Sequence, residues 1–390
     1  MDIARIQEAL RSKKLDGWLL YDFHGSNPIA RRIAGLSDTD KLTTRRWYYL
    51  IPASSEPRML VHDIERHSLA HLPGERLIYA RHDTLKTGLE SLVRNMQRVA
   101  IEYSPNCTIP YVSRVDAGTI EHLRRLGISP VSSGDLIQEF EAIWDESMLD
   151  SHRKASTLLY EVKDRTFAFI RNRLSSGTLT EYVVQQQMVE WFDELNLVSD
   201  CSPVVAVQKN SGNPHYLPTR SSHASIESEQ VVLIDLWAKL DRSSSAYADI
   251  TWVGYTGKNP HQRASEIFDV ARAARDAAVN LVVERVEAGN PIAGWEVDQK
   301  ARAVIEVAGF GDRFIHRTGH NLGEEVHGNG AHLDDYETHD ERLLIAGSGF
   351  TIEPGIYLEE FGVRTEINMF ISQEHARVTG PRQSELTLLA

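Results

Sequence analysis

The spacing of apolar positions changes several times along this chain, and each change marks an element. In IARIQEALRSKKL, residues 3–15, Ile3, Ile6, Ala9 and Leu10 share one helical stripe. DGWLLYDF and RRWYYLIP then read as short strands, and RMLVHDI, ERLIYA and RVAIEYS continue them, with a helix-like GLESLVRNMQ between the last two. Residues 1–150 therefore form an α/β unit without a catalytic signature of its own. Strand character is lost from Glu139 to Ser151 and a long helical stretch begins, which places a domain boundary near Asp150. LLYEVKDRTFAFIRNRL and TLTEYVVQQQMVEWFDEL read as two amphipathic helices, the second with Thr178 and Glu181 at the spacing of a capping box. Helical patterns over 260–288 and 295–308 repeat the pair between strand-rich stretches, so residues 151–390 have the layout of an internally duplicated domain.

Composition adds boundaries to this picture. A chain of 390 residues with 42% hydrophobic and 25% charged residues suits a two-domain globular protein. Its formal charge of −13 disfavours nucleic acid or an anionic membrane as partner, because such surfaces select clustered Lys and Arg. Cys107 and Cys201 are isolated from one another, which fits a reducing compartment and gives no zinc ribbon. The first twenty residues break every apolar run with charge, so neither a secretory segment nor a membrane span is expected there, and a cytoplasmic location follows by elimination.

Chemistry concentrates in four segments: IDLWAKLDRSSSAYADITW, HRTGHNLGEEVHG, FTIEPGIY and VRTEINM. They supply Asp235, Asp249, His320, Glu353 and Glu366. Four carboxylates and one imidazole make an oxygen-rich donor set that suits manganese, cobalt or zinc. Over about the last 230 residues the chain resembles the pita-bread metallopeptidase family of prolidase, aminopeptidase P and methionine aminopeptidase, with creatinase as a metal-free relative. The resemblance implies an α+β fold: a pita-bread catalytic domain of duplicated helix pairs and a curved antiparallel sheet, preceded by a smaller creatinase-like α/β domain. It also implies that those five residues hold two divalent ions per subunit, manganese foremost. Two departures stand out. Trp237 replaces the small Gly that usually follows the first Asp, and fourteen positions separate the two aspartates where the family has fewer.

Strand parity gives the ligands a common face. A turn centred near Ser243 sets Asp235 opposite Thr251 and diagonal to Asp249, about 7–8 Å apart at the backbone. A four-residue loop, Glu359 to Gly362, likewise brings Glu353 and Glu366 to one side of a second hairpin. By resemblance, His316 and His327 line a substrate pocket, and His215 in GNPHYLP moves protons or steadies the intermediate. Arg364 shares the strand face of Glu366, where it could orient that carboxylate, clamp a substrate carboxylate, or form a cross-strand ion pair. His332, Asp334 and Asp335 lie in a 328–340 loop that departs from the family and receive no role.

The activity so implied is hydrolysis of an Xaa-Pro bond at or near a free N-terminus, in a dipeptide or a longer peptide, by a hydroxide bridging two ions. In that scheme Glu353 takes the water's proton, His327 steadies the oxyanion, and His215 protonates the leaving nitrogen. A homodimer or dimer of dimers is implied too. The alternatives are a hydrolase or lyase of a small creatine- or ectoine-like amide, and a catalytically silent peptide-binding protein.

Overall fold

The computed structural model describes residues 1–36, 43–177 and 179–390. The chain divides into two compact units, Met1–Glu141 and Ala142–Ala390, so Asp150 falls inside a helix of the second unit and not between units.

Unit 1 is a six-stranded mixed sheet. Its strands are β1 (Gly17–Asp22), β2 (Trp47–Pro52), β3 (Arg58–His62), β4 (Glu75–Tyr79), β5 (Arg98–Ile101) and β6 (Ser129–Ser132), in the order β4-β3-β2-β1-β5-β6. Helices α1 (Ile3–Ser12), α2 (Pro28–Ile33) and α5 (Gly134–Glu141) cover one face, and α3 (His82–Leu92) and α4 (Ala117–Arg125) the other. The alternation of β1 explains both layers: Trp18 and Leu20 pack with α1 and α2, while Leu19 and Tyr21 pack with α3 and α4. The five strands read from sequence are present. The helix before β5 begins at His82, earlier than the GLESLVRNMQ pattern indicated, because its first two turns carry a single bulky apolar residue, Leu85.

At the centre of unit 1, Glu102 is fully buried. Its Oε1 accepts from Trp18 Nε1 at 2.8 Å and Ser133 Oγ at 3.1 Å, and its Oε2 accepts from Asn27 Nδ2 at 2.8 Å. Burial is the main cause that lifts this carboxyl to about 7, against the pull of its three donors.

Unit 2 contains two helix pairs, α6 (Glu146–Arg173) with α7 (Glu181–Glu194) and α8 (Gln262–Glu287) with α9 (Gly294–Val307). Its first sheet comprises β7 (Leu197–Val198), β8 (Val204–Val207), β9 (Val231–Leu240), β10 (Ala248–Tyr255) and the late strand β17 (Thr387–Leu388). Its second has β11 (Asn321–Leu322), β12 (Gly349–Ile352), β15 (Ile367–Ile371) and β16 (Ala376–Val378); between β12 and β15 the short pair β13 (Gly355–Tyr357) and β14 (Gly362–Arg364) extends the hairpin. Val232, Ile234 and Leu236 of β9 pack on α6 and α7, whereas Phe350 and Ile352 of β12 and Ile367 and Met369 of β15 pack on α8 and α9. Period-two alternation then turns Asp235, Asp249, Glu353 and Glu366 away from these helix layers. Unit 2 has the two helix pairs and strand-rich stretches expected from the duplicated pattern, in the pita-bread arrangement that the resemblance implied. No helix among the described residues is long and apolar enough to cross a membrane.

The capping box expected at Thr178 falls outside the described residues; the N-cap of α7 is Thr180, whose side chain accepts from Val183 N. Glu181 does not act in a cap. It is fully buried and accepts from Val207 N, Asn210 Nδ2, Tyr216 Oη and Ala224 N, and so fastens the segment that carries His215.

The C-terminal residues are woven into β10. Gln383 Oε1 accepts from Val253 N and its amide donates to Val253 O, β17 runs parallel to β10 with Gly254 beside Thr387, and the fully buried Leu389 donates its N–H to Tyr255 O at 2.8 Å. From behind, the buried Arg275 of α8 joins Thr365 Oγ1 to Gln383 O at 2.7 and 2.9 Å.

Candidate metal centre

Five side chains from two hairpins and one loop converge. In the β9–β10 ladder Asp235 is opposite Thr251 and Asp249 opposite Trp237, the register expected from the turn. The fourteen-position separation is even, so the extra residues enlarge the turn and leave both aspartates on one face. In the second hairpin the loop is Leu358–Phe361, one position earlier than expected, with Gly362 already in β14. A shift of one position on each strand preserves parity, and the ladders on either side, Ile352 with Ile367 and Gly355 with Arg364, place Glu353 across from Glu366.

At these two glutamates the strands change partners. Pro354 has no N–H to donate; Glu353 N bonds Thr318 O at 2.7 Å and Glu366 N bonds Thr251 O at 3.3 Å. Asn368, two residues beyond Glu366, takes Asp249 N at 3.0 Å and returns its amide to Asp249 O, locking the two hairpins together.

His320 arrives on a loop that presses against β12. A Cβ on Gly319 would lie 2.1 Å from Thr351 O, so only glycine fits before this histidine. His320 N bonds Thr351 Oγ1 at 3.0 Å, and Nδ1 lies 3.3 Å from Asn321 O, an arrangement that protonates Nδ1 and leaves Nε2 as the ligating nitrogen. Nε2 is 3.5 Å from Asp249 Oδ2 and 3.4 Å from Glu353 Oε1. Donor atoms of Asp249, His320 and Glu366 lie within 4.8 Å of one another. Asp235 joins through Thr251, whose hydroxyl is 3.2 Å from Asp235 Oδ1 and 2.7 Å from Glu366 Oε2.

Electrostatics make this cluster costly without a cation. Burial first and mutual repulsion second raise Asp249 and Glu366 well above the carboxylate range; burial also raises Asp235 and brings Glu353 to about 7. His320 is held neutral by burial and by the neighbouring His327 and Arg317. Glu366 Oε1 is buried with no hydrogen-bond partner. An unsatisfied buried carboxylate oxygen among like charges is a position that a divalent cation fits, and the mostly oxygen donor set agrees.

The remaining candidates divide by location. His327 has its ring centroid 4.4 Å from that of His320 and keeps a solvent-accessible side, while the surrounding protein and the Arg317 charge lower it to about 4. His215 is exposed. His316 is half-buried, with Nδ1 2.7 Å from Arg317 O and Nε2 2.7 Å from Tyr357 Oη, so both ring nitrogens are used inside the protein. Arg364 pairs with Asp235 and not with Glu366; its Nε also donates to Thr251 Oγ1 at 2.9 Å and its Nη1 to Tyr357 Oη at 3.3 Å. Of its three sequence readings, the cross-strand ion pair is the one found.

The 328–340 loop is built on polar contacts. Asn321 Oδ1 accepts from Gly330 N, His332 Nδ1 from Asn321 N, Asp340 from His332 N, and Arg342 pairs with Asp340 while donating to Asn329 O. Asp334 gathers Tyr336 N, Glu337 N and Thr338, and Asp335 pairs with His339.

Thr251, Thr351 and Asn368 were not singled out by sequence reasoning as site residues, and each lies two positions from a ligand on a strand. The i±2 rule would have found all three. Arg317 and Tyr357 carried no such signal.

A pita-bread unit holding this cluster defines a metal-binding protein of the metallopeptidase type, and the comparisons agree. Residues 150–373 match the model of metallopeptidase family M24, and the chain belongs to that family. It is 35% identical over 165 residues, 42% of the chain, to the Xaa-Pro dipeptidase of Lactobacillus helveticus, and 30% identical over 236 residues, 60% of the chain, to that of Lactobacillus delbrueckii subsp. lactis. These alignments span 40% and 58% of the relatives' own lengths. The structure of the dipeptidase PepE from Mycobacterium ulcerans shares the fold with a TM-score of 0.72 at 21% identity, over 99% of this chain and 96% of that one.

Proposed function

We propose that the chain is a dinuclear-metal hydrolase that cleaves Xaa-Pro bonds at or near a free N-terminus. The observation that carries the metal part is the meeting of the buried Asp235, Asp249 and Glu366, the half-buried Glu353 and the His320 imidazole, with Glu366 Oε1 buried and without a hydrogen-bond partner among the described residues. The Xaa-Pro part is supported by the names of the two Lactobacillus relatives. Proline's tertiary amide has no N–H, which closes it to peptidases that read that donor.

In this reading Asp235, Asp249, His320, Glu353 and Glu366 would together hold two divalent ions. Bound divalent ions, manganese foremost with cobalt or zinc as alternatives, polarise a carbonyl and bring water's pKa towards ~7. Glu353, oriented by Thr351 Oγ1 at 3.1 Å, receives the proton of the attacking water. Neutral His327, at the accessible side of the cluster, donates its N–H to the developing oxyanion. The exposed His215 protonates the departing proline nitrogen. Arg364 and His316 act from behind: Arg364 sets the angle of Asp235 and of the Thr251 hydroxyl, and His316 holds the Tyr357 hydroxyl that Arg364 contacts.

Hydrolysis of Ala-Pro, Ala-Pro-Ala and creatine with manganese supplied tests the substrate class, and turnover of creatine alone would replace the peptide by a small amide. Elemental analysis tests the metal part: about two transition-metal ions per chain are expected after manganese is supplied, and none would remove the metallohydrolase reading.

A further inference from the structure

Trp237 is where the first aspartate motif departs from its family, and the structure gives the departure a purpose. On β9 it lies two residues from Asp235 and directly opposite Asp249, so its indole shares the face of the ligands. Its Nε1–H donates to Asp200 Oδ1 at 2.6 Å. That bond orients the Asp200 carboxylate.

Although anchored, Asp200 is exposed, and among the described residues its Oδ2 has no hydrogen-bond donor. The nearest cation on the same strand face, Lys239, is engaged elsewhere: Nζ donates to Glu324 O at 2.6 Å and stands 5.1 Å from the Tyr247 ring centre. The indole that Asp200 accepts from stands opposite Asp249 and two residues from Asp235, which brings the Asp200 carboxylate to the side of the sheet that carries the ligands. A carboxylate on the same side of the sheet as an acidic cluster is favoured by a cation that arrives with the ligand. The site already has acid for its metals; a fifth carboxylate, oriented by an indole and open to solvent, suits a positively charged part of the substrate.

We propose that Asp200 is the subsite for a substrate ammonium group and that Trp237 is its positioning residue. The proposal rests on the peptide reading above and narrows it: the residue before the scissile bond must bring an ammonium to the edge of the cluster. Two sources share that chemistry, the α-ammonium of an N-terminal residue and the side-chain ammonium of a lysine at the same place. Trp237, opposite Asp249 and two residues from Asp235, holds Asp200 beside the ligand-bearing strands, which favours the α-ammonium, the nearer of the two to the scissile carbonyl.

The test is equilibrium binding to the full-length, manganese-supplied protein of three ketomethylene isosteres: Ala-Pro, N-acetyl-Ala-Pro and N-acetyl-Lys-Pro. Asp200→Asn is expected to weaken the free-amine isostere about tenfold and to cut its preference over the acetylated one by the same factor. Asp200→Glu restores most of that preference. Trp237→Phe keeps the ring but removes the N–H; it weakens the free-amine isostere by a smaller factor and adds nothing when combined with Asp200→Asn. A selective loss on N-acetyl-Lys-Pro alone would make the lysine side chain the source. Equal effects of Asp200→Asn on all three isosteres, or none, would overturn the proposal. Because the isosteres are not hydrolysed, failure of Ala-Pro turnover would count against the proposed function and leave this binding result readable.

Discussion

Glu102 in unit 1 and Glu366 in unit 2 are buried to the same degree, 0% and 2% exposed, yet they solve burial in opposite ways. Glu102 is alone among neutral donors: an indole, an amide and a hydroxyl saturate its oxygens. Glu366 has Asp249, Glu353 and Asp235 as electrostatic neighbours and one oxygen without a donor. A lone carboxylate surrounded by donors is a structural post. A carboxylate surrounded by its own kind is stable only when a cation completes it, and that difference separates scaffold from site more reliably than burial does.

The sharpest way to break this comparison is to remove one glutamate from the cluster. Glu366→Ala should lower both manganese loading and Ala-Pro hydrolysis by about 100-fold or more, read by elemental analysis and by proline release. Normal loading in that variant would refute the cluster as the metal site.

A smaller effect concerns stability. Manganese at about 100 times its dissociation constant should stabilise unit 2 by about 2.7 kcal/mol, seen as a rise in thermal midpoint that chelator reverses. Glu366→Gln should make the chelated protein more stable than the parent at pH 8, since a repelling charge is gone, whereas removing donors from Glu102 by Asn27→Ala should destabilise unit 1 by about 1–3 kcal/mol. If both substitutions shifted stability in the same direction, the contrast between the two glutamates would be lost.

The pH dependence sharpens the same contrast. Glu102 is near 7 when folded against 4.5 in its ordinary state, so between those values the unfolded chain releases its proton first; unit 1 loses stability as pH rises through that window, by on the order of 3 kcal/mol, and the loss levels off above 7. Protection factors of amides in β1 and β5 should fall accordingly, and Glu102→Gln should flatten the trend. In unit 2, His152 is buried between Tyr247 O and Thr379 Oγ1 and depressed to about 4 by burial. Its sign is reversed: stability is full above pH 6.5 and drains as pH falls towards 4. Exchange protection in α6 that stayed constant across that range would contradict the assignment.

Parity made much of the site legible before any coordinates. The even separation of Asp235 and Asp249 and the hairpin through residues 353–366 need only the two-residue period of a strand, and that period tolerated a one-position error in the second turn. Five of the six strands of unit 1 were equally plain from their apolar runs, and β6, with the sequence SPVS, has no such run. Contacts that depend on which strands become neighbours were hidden. Arg364 was one residue from Glu366's own neighbour, yet its partner is Asp235, across a different sheet. Glu181 looked like a cap residue because spacing alone cannot distinguish a solvated glutamate from one that gathers four donors around a loop. Thr251 and Asn368 lay within the same motifs as the ligands and were overlooked because hydroxyls and amides stand out less than charges.

The plaiting of the carboxyl end into β10 has a practical corollary. Leu389, the penultimate residue, is sealed inside the protein, and Gln383 rides on the very strand that presents Asp249. Cutting the chain before Gln383 would remove the side-chain amide that clasps Val253 and loosen an aspartate far upstream in the chain.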